Sequence, residues 1–85
     1  MVIWKYKLEI VDLQAINMPV GASVLSVHRQ GPDLCMWAMV DPSEPMQGRQ
    51  FEVIGTGNPI NPAQRLFVGT VVVGALVWHV FERLS

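Results

Sequence analysis

The side chains able to do covalent chemistry are few. Cys35 is the only cysteine, and His28 and His79 are the only imidazoles. Nucleophilic catalysis needs a base within hydrogen-bond reach of the nucleophile and a third group that orients the base. Cys35 instead lies in Leu34-Cys35-Met36-Trp37, the setting of a buried thiol acting as a small apolar side chain. The seven carboxylates are Glu9, Asp12, Asp33, Asp41, Glu44, Glu52 and Glu82. None is spaced to pair a general acid with a base, and Asp33 and Asp41 read as turn residues. The expectation is a protein that is not an enzyme. No Cys-x-x-Cys or His-x-x-x-His pair spaces ligands for a metal, so neither a metal nor another cofactor is expected.

Anion binding is a further chemistry the sequence could serve, although on pattern alone a structural loop is the better account of its glycine segment. Gly55-Thr56-Gly57 sets glycines where successive backbone N–H groups can form an anion-binding concavity. The segment lacks the glycine–lysine–serine ending of a P-loop and the strand-to-helix setting of a dinucleotide fingerprint, and a structural loop explains it too. Around it, Arg49 and Arg65 are guanidinium forks that match phosphate, and Thr56 and Asn58 add hydrogen-bonding side chains. Trp78 is a stacking surface for a base, and His79 follows it. The candidate ligand site is therefore Arg49, Thr56, Gly57, Asn58, Arg65, Trp78 and His79. Each also has a bland explanation: strand-end charges for the arginines, core packing for Trp78, an interior histidine for His79.

The elements that must position these residues are strands. Ile3 to Ile10 alternates, with Trp4, Tyr6, Leu8 and Ile10 on one face and Lys5, Lys7 and Glu9 on the other. Further strands are expected at Gln14–Met18, Ser23–Gln30, Leu34–Val40 and Arg49–Ile54. Pro19-Val20-Gly21 and Asp41-Pro42-Ser43-Glu44-Pro45 are turn signals, each read as closing a hairpin. The longest loop is Gly55–Pro62, followed by one expected helical turn at Ala63–Leu66 with Asn61 as N-cap. Phe67–Val73 and Ala75–Arg83 read as two last strands about Gly74, a turn or a bulge. From Leu66 to Phe81 no charged side chain occurs. As a helix that run would reach only about 24 Å at ~1.5 Å per residue, short of a ~30 Å hydrocarbon core. No window shows helical periodicity, and turns arrive at the spacing of an all-β protein. The expected fold is a small antiparallel β-barrel or β-sandwich of six to seven short strands in one domain, residues 1–85.

Composition narrows the partners. Of 85 residues 51% are hydrophobic and 15% charged, with six Lys plus Arg against seven Asp plus Glu. A net charge of −1 supplies no basic field for tracking long nucleic acid, and the apolar content excludes a disordered chain. So short a chain buries a marginal core. The last strand is apolar on both faces, with Leu76, Trp78 and Val80 on one side and Val77, His79 and Phe81 on the other. Such a strand is central or lies in an interface, and a homo-oligomer in which it pairs with its twin across a two-fold axis is expected. With one cysteine and no signal-peptide pattern, a reducing cytoplasm is the default.

Six stretches together carry a resemblance. Ile3-Trp4-Lys5-Tyr6, Met18-Pro19-Val20-Gly21-Ala22, Trp37-Ala38-Met39-Val40-Asp41-Pro42, Gly55-Thr56-Gly57-Asn58-Pro59-Ile60, Phe67-Val68-Gly69-Thr70 and Leu76-Val77-Trp78-His79-Val80-Phe81 resemble a family of short, mostly uncharacterised phage and prophage proteins. The resemblance implies viral origin and action in the cytoplasm of a bacterial host, not a particular chemistry. Two functions are then expected. The first is a non-catalytic counter-defence sponge that sequesters a nucleotide-derived immune signal of the host. The alternative is a protein-interaction module that inhibits a host or defence protein through an exposed strand edge or apolar patch. A membrane partner is not expected.

Overall fold

In a computed structural model, residues 1–85 form seven strands and no helix: β1 (Val2–Leu8), β2 (Gln14–Pro19), β3 (Ser23–Gln30), β4 (Asp33–Val40), β5 (Met46–Gly55), β6 (Arg65–Val73) and β7 (Leu76–Arg83). They make two antiparallel sheets, ordered β1-β4-β3 and β2-β5-β7-β6. The sheets do not close into a barrel, so of the two expected architectures the sandwich is the one formed. The run from Leu66 to Phe81 lies within β6 and β7, turned at Gly74 (φ 62°). No helix is long and apolar enough to cross a membrane.

Alternation builds the core. Residues directly opposite in an antiparallel pair share a face, and β1 sets Val2, Trp4, Tyr6 and Leu8 against Val40, Ala38, Met36 and Leu34 of β4. The β4 members of that row are buried and join Leu8, Met18, Val27, Phe51, Val53, Val71 and Val80 in one cluster between the sheets. Ile10 was expected to extend the β1 row, but the strand stops at Leu8 and Ile10 is exposed. There the Gln14 side chain accepts from the Glu9 N–H (2.9 Å) and donates to its carbonyl (2.8 Å), satisfying the backbone locally and ending the strand.

Two expected hairpins are instead crossovers. β2 pairs with β5 and β3 with β4, so Val20–Ala22 carries the chain from one sheet to the other, with Gly21 at φ 80°. Asp41–Pro45 likewise joins β4 to β5 across the sandwich. Asp41 accepts from the Ser43 hydroxyl (2.7 Å) and Ser43 N–H (3.0 Å), and these bonds hold its carboxyl below the usual carboxylate range. The chain does turn at both places, but a turn fixes local direction and not the partner of the next strand. The helical turn at Ala63–Leu66 does not form: Arg65 and Leu66 already pair with Arg83 and Glu82. Nor does the last strand meet a twin. β7 lies between β5 and β6 with both edges occupied; on its inner face Val80 joins the core, and on its outer face Phe81 packs edge-on against Phe67 beneath Arg65.

β6 carries a bulge between Phe67 and Gly69. Gly69 passes so close to β3 that a Cβ there would lie 2.7 Å from Val27 Cγ2. The sheets therefore approach each other along β3 and β6, and β1 and β2 on the opposite side have no comparable approach.

Candidate functional site

The expected ligand residues fall into three places. Thr56, Asn58 and Trp78 come together around an open cleft of ≈ 350 Å³ at one end of the four-stranded sheet, with Gly55, Ala75, Leu76 and Val77. Register explains the gathering: Gly55 lies opposite Trp78 on the inner face of β5 and β7, and the chain turns back after it. The Asn58 N–H donates to the Gly55 carbonyl (3.1 Å), and the Thr56 N–H to the Val77 carbonyl (3.2 Å). Gly57 forms the tip of this turn at φ 87°, a conformation that favours glycine. A Cβ on Gly55 would lie 2.9 Å from Asn58 Nδ2 and 3.2 Å from Trp78 Cζ3. The glycine thus lets an amide and an indole meet over the backbone.

His79 stands beside the cleft on the outer face, opposite Ile54 and Thr70. Its Nε2 is 2.7 Å from Thr56 Oγ1 and its Nδ1 2.9 Å from Thr70 Oγ1. A neutral imidazole offers one donor and one acceptor, and a hydroxyl can serve either. The two threonines therefore satisfy the ring in either tautomer, and the chain Thr56–His79–Thr70 ties the loop to β6. Both ring nitrogens are engaged by hydroxyls, and no carboxylate is bonded to the ring.

Arg49 is elsewhere. It lines a second cleft of ≈ 380 Å³ between the sheets, together with Leu25, Leu66, Phe67 and Glu82. Its Nε and Nη2 donate to the two Glu82 carboxylate oxygens at 2.7 Å each, and Nη1 donates to the Ala22 carbonyl. Hydrogen bonding to Glu82 raises the guanidinium further above its ordinary value. Arg65, on the outer face, donates to Glu52 (2.8 and 3.3 Å) and to the Asn61 carbonyl (2.7 Å), and it lies over the Phe81 ring at 5.8 Å. Arg83 shares the same Glu52 carboxylate at 3.4 Å. Neither Arg49 nor Arg65 is at the glycine loop's cleft, and each is compensated by a buried glutamate. Their work is structural: Arg49 joins β5 and β7 to the β2–β3 crossover, and Arg65 holds the long loop against the sheet.

The partners Glu52 and Glu82 were not singled out by the sequence reading. A signal existed, because a carboxylate inside an otherwise apolar strand requires a cation, and arginines occur in all three strands involved. No group of three or more His, Cys, Asp or Glu side chains is placed to hold a metal ion. What remains at the Thr56–Asn58–Trp78 cleft is an uncharged set: an aromatic plane, an amide, a hydroxyl and apolar walls. Such a set can stack on a planar ring and read its polar edge.

No curated protein and no solved structure matches the chain. One family model does, across residues 1–85, and its description is a domain of unknown function. The chain belongs to that family, DUF7352.

Proposed function

We propose that the protein is a non-catalytic binding protein that holds the base or nucleoside part of a nucleotide-derived small molecule in the cleft between Thr56, Asn58 and Trp78. The observation that carries this is the meeting of Asn58 and Trp78 over Gly55, where any Cβ would meet both, in a cleft that Thr56 also lines. A cleft of this size, mostly apolar with a few convergent polar groups, has the character of small-molecule sites. Trp78 stacks on the ring, and Asn58 and Thr56 bond to its edge. Phosphates face solvent, since the arginines are committed to Glu52 and Glu82. Sequestration of a host immune signal in the bacterial cytoplasm, the setting implied by the phage resemblance, completes the proposal.

The test is calorimetric titration of the protein with cyclic dinucleotides, cyclic trinucleotides and ADP-ribose derivatives, alongside thermal unfolding. A ligand at ~100 times its Kd stabilises the native state by about 2.7 kcal/mol. Asn58→Ala and Thr56→Val, both at exposed positions, should weaken binding by about 1 kcal/mol each, and Trp78→Ala by about 1–3 kcal/mol. Recovery of the ligand intact after heat release would show sequestration without turnover. Absence of binding across the panel would exclude the nucleotide class.

A further inference from the structure

β1 is an edge strand with nothing beside it. Its one partner is β4, so half of its backbone groups over Val2–Leu8 face away from the sheet. Proteins blunt such edges with proline, bulges or charge. β1 contains no proline and no bulge, its register with β4 running unbroken from Val2↔Val40 to Leu8↔Leu34, so Lys5 and Lys7 are its one guard against unselective pairing.

The inner row also runs out at this edge. Val2 and Trp4 face the same side as Val40 and Ala38, which are fully buried, yet they are 45% and 37% exposed. The sheets approach each other along β3 and β6 and not along β1 and β2, and these two side chains at the far edge stay partly uncovered. On the other face Ile3 is 59% exposed, in a row with Lys5 and Lys7.

The charge of that outer row is only weakly compensated. Lys5 donates to the neutral Gln30 side chain at 2.6 Å. Lys7 lies 3.7 Å from Asp33, with both side chains about half exposed, a contact of little strength in water. Asp33 is the only carboxylate paired to the row.

We infer that β1 accepts an extended segment of a partner protein as a fourth strand of its sheet, a segment that alternates apolar and acidic residues. Its apolar side chains extend the row of Val2, Trp4 and Tyr6, and its carboxylates meet Lys5 and Lys7. Main-chain hydrogen bonds along the edge supply affinity, and the two rows supply specificity. A second copy of β1 is the wrong occupant: antiparallel pairing over the whole strand centres on Lys5 and sets that ammonium against its own image. The edge belongs to the other sheet from the Thr56–Asn58–Trp78 cleft, so the inference stands apart from the small-molecule reading.

The test titrates the isotopically labelled protein with capped seven-residue peptides that alternate valine with glutamate, valine with lysine, or valine with serine, at low ionic strength. The glutamate peptide should shift and protect amides of β1 and bind about tenfold more tightly than the lysine peptide, as two exposed charge contacts predict. Lys5→Glu with Lys7→Glu, both at exposed positions, should reverse that order, and the spectrum of the variant reports its fold. Equal binding of all peptides, no binding, or perturbation centred away from β1 would overturn the inference. So would a dimer by light scattering that reverts to the 9.5 kDa monomer with Ile3→Lys, since the edge would then belong to a second copy.

Discussion

Arg49 and Glu82 face each other as a two-pronged ion pair, Nε to Oε2 and Nη2 to Oε1 at 2.7 Å each, on the inner side of a sheet whose next row is Phe51 and Val53. The side chains are 17% and 11% exposed, so the pair is largely removed from water. Two charges in such a place stabilise chiefly by satisfying one another, and losing either leaves the other stranded. Arg49→Ala or Glu82→Ala should therefore cost about 2–4 kcal/mol in urea denaturation. An Arg49→Met, Glu82→Leu double variant should lose much less than the sum of the two. Additive losses would mean that the pair does not act as a unit.

Tyr6 Oη is buried and has no hydrogen-bond partner. Replacing an orphaned hydroxyl by hydrogen removes a desolvated group without opening a cavity, so Tyr6→Phe should leave stability unchanged or raise it by up to about 1 kcal/mol. A clear loss would reveal a partner for the hydroxyl.

Burial also pushes the Tyr6 phenol above its ordinary value, and the charge of Arg49 opposes that push. A raised folded-state pKa favours the native state below the unfolded phenol's pKa of ~10, and the advantage is lost as pH rises through the folded value. The urea midpoint should fall between about pH 9.5 and 11, more steeply in the native protein than in Tyr6→Phe. Identical pH profiles would show that other groups control alkaline unfolding.

Gly69 is a point of close approach between the two sheets. A methyl group there would lie 2.7 Å from Val27 Cγ2, and Val27 is a buried, short, branched side chain with little room to move. Gly69→Ala should destabilise by about 1–3 kcal/mol, and adding Val27→Ala should cost less than it does alone, because each change makes space for the other. Thermal unfolding of the four proteins measures that coupling.

Gly55→Ala addresses the cleft. Its methyl would press on Asn58 and Trp78 at 2.9 and 3.2 Å, displacing the side chains that form the proposed ligand surface. Affinity for any nucleotide-type ligand should fall about tenfold, or ~1.4 kcal/mol. Unaltered affinity would place the ligand elsewhere.

Sequence alone was enough for the class of fold, for the turns at Pro19–Gly21, Asp41–Pro45, Gly55–Pro62 and Gly74 though not their topology, and for the alternation that sorts Trp4, Tyr6 and Leu8 from Lys5 and Lys7. Those are local properties: side-chain period, the φ of proline, the freedom of glycine at Gly21 or Gly74. The glycine-rich turn that carries Thr56 and Asn58 marks itself in the sequence, whereas Trp78 reaches it only through the pairing of β5 with β7. Tertiary structure alone decided which strands pair, so that Val20–Ala22 and Asp41–Pro45 became crossovers. It alone set Arg49 and Arg65 apart from the Thr56–Asn58–Trp78 cleft, since their partners Glu82 and Glu52 lie 33 and 13 residues away in sequence. A guanidinium reads alike whether it meets phosphate or a distant carboxylate, and only the register of β5, β6 and β7, set by burial of the apolar rows beside them, selects the partner.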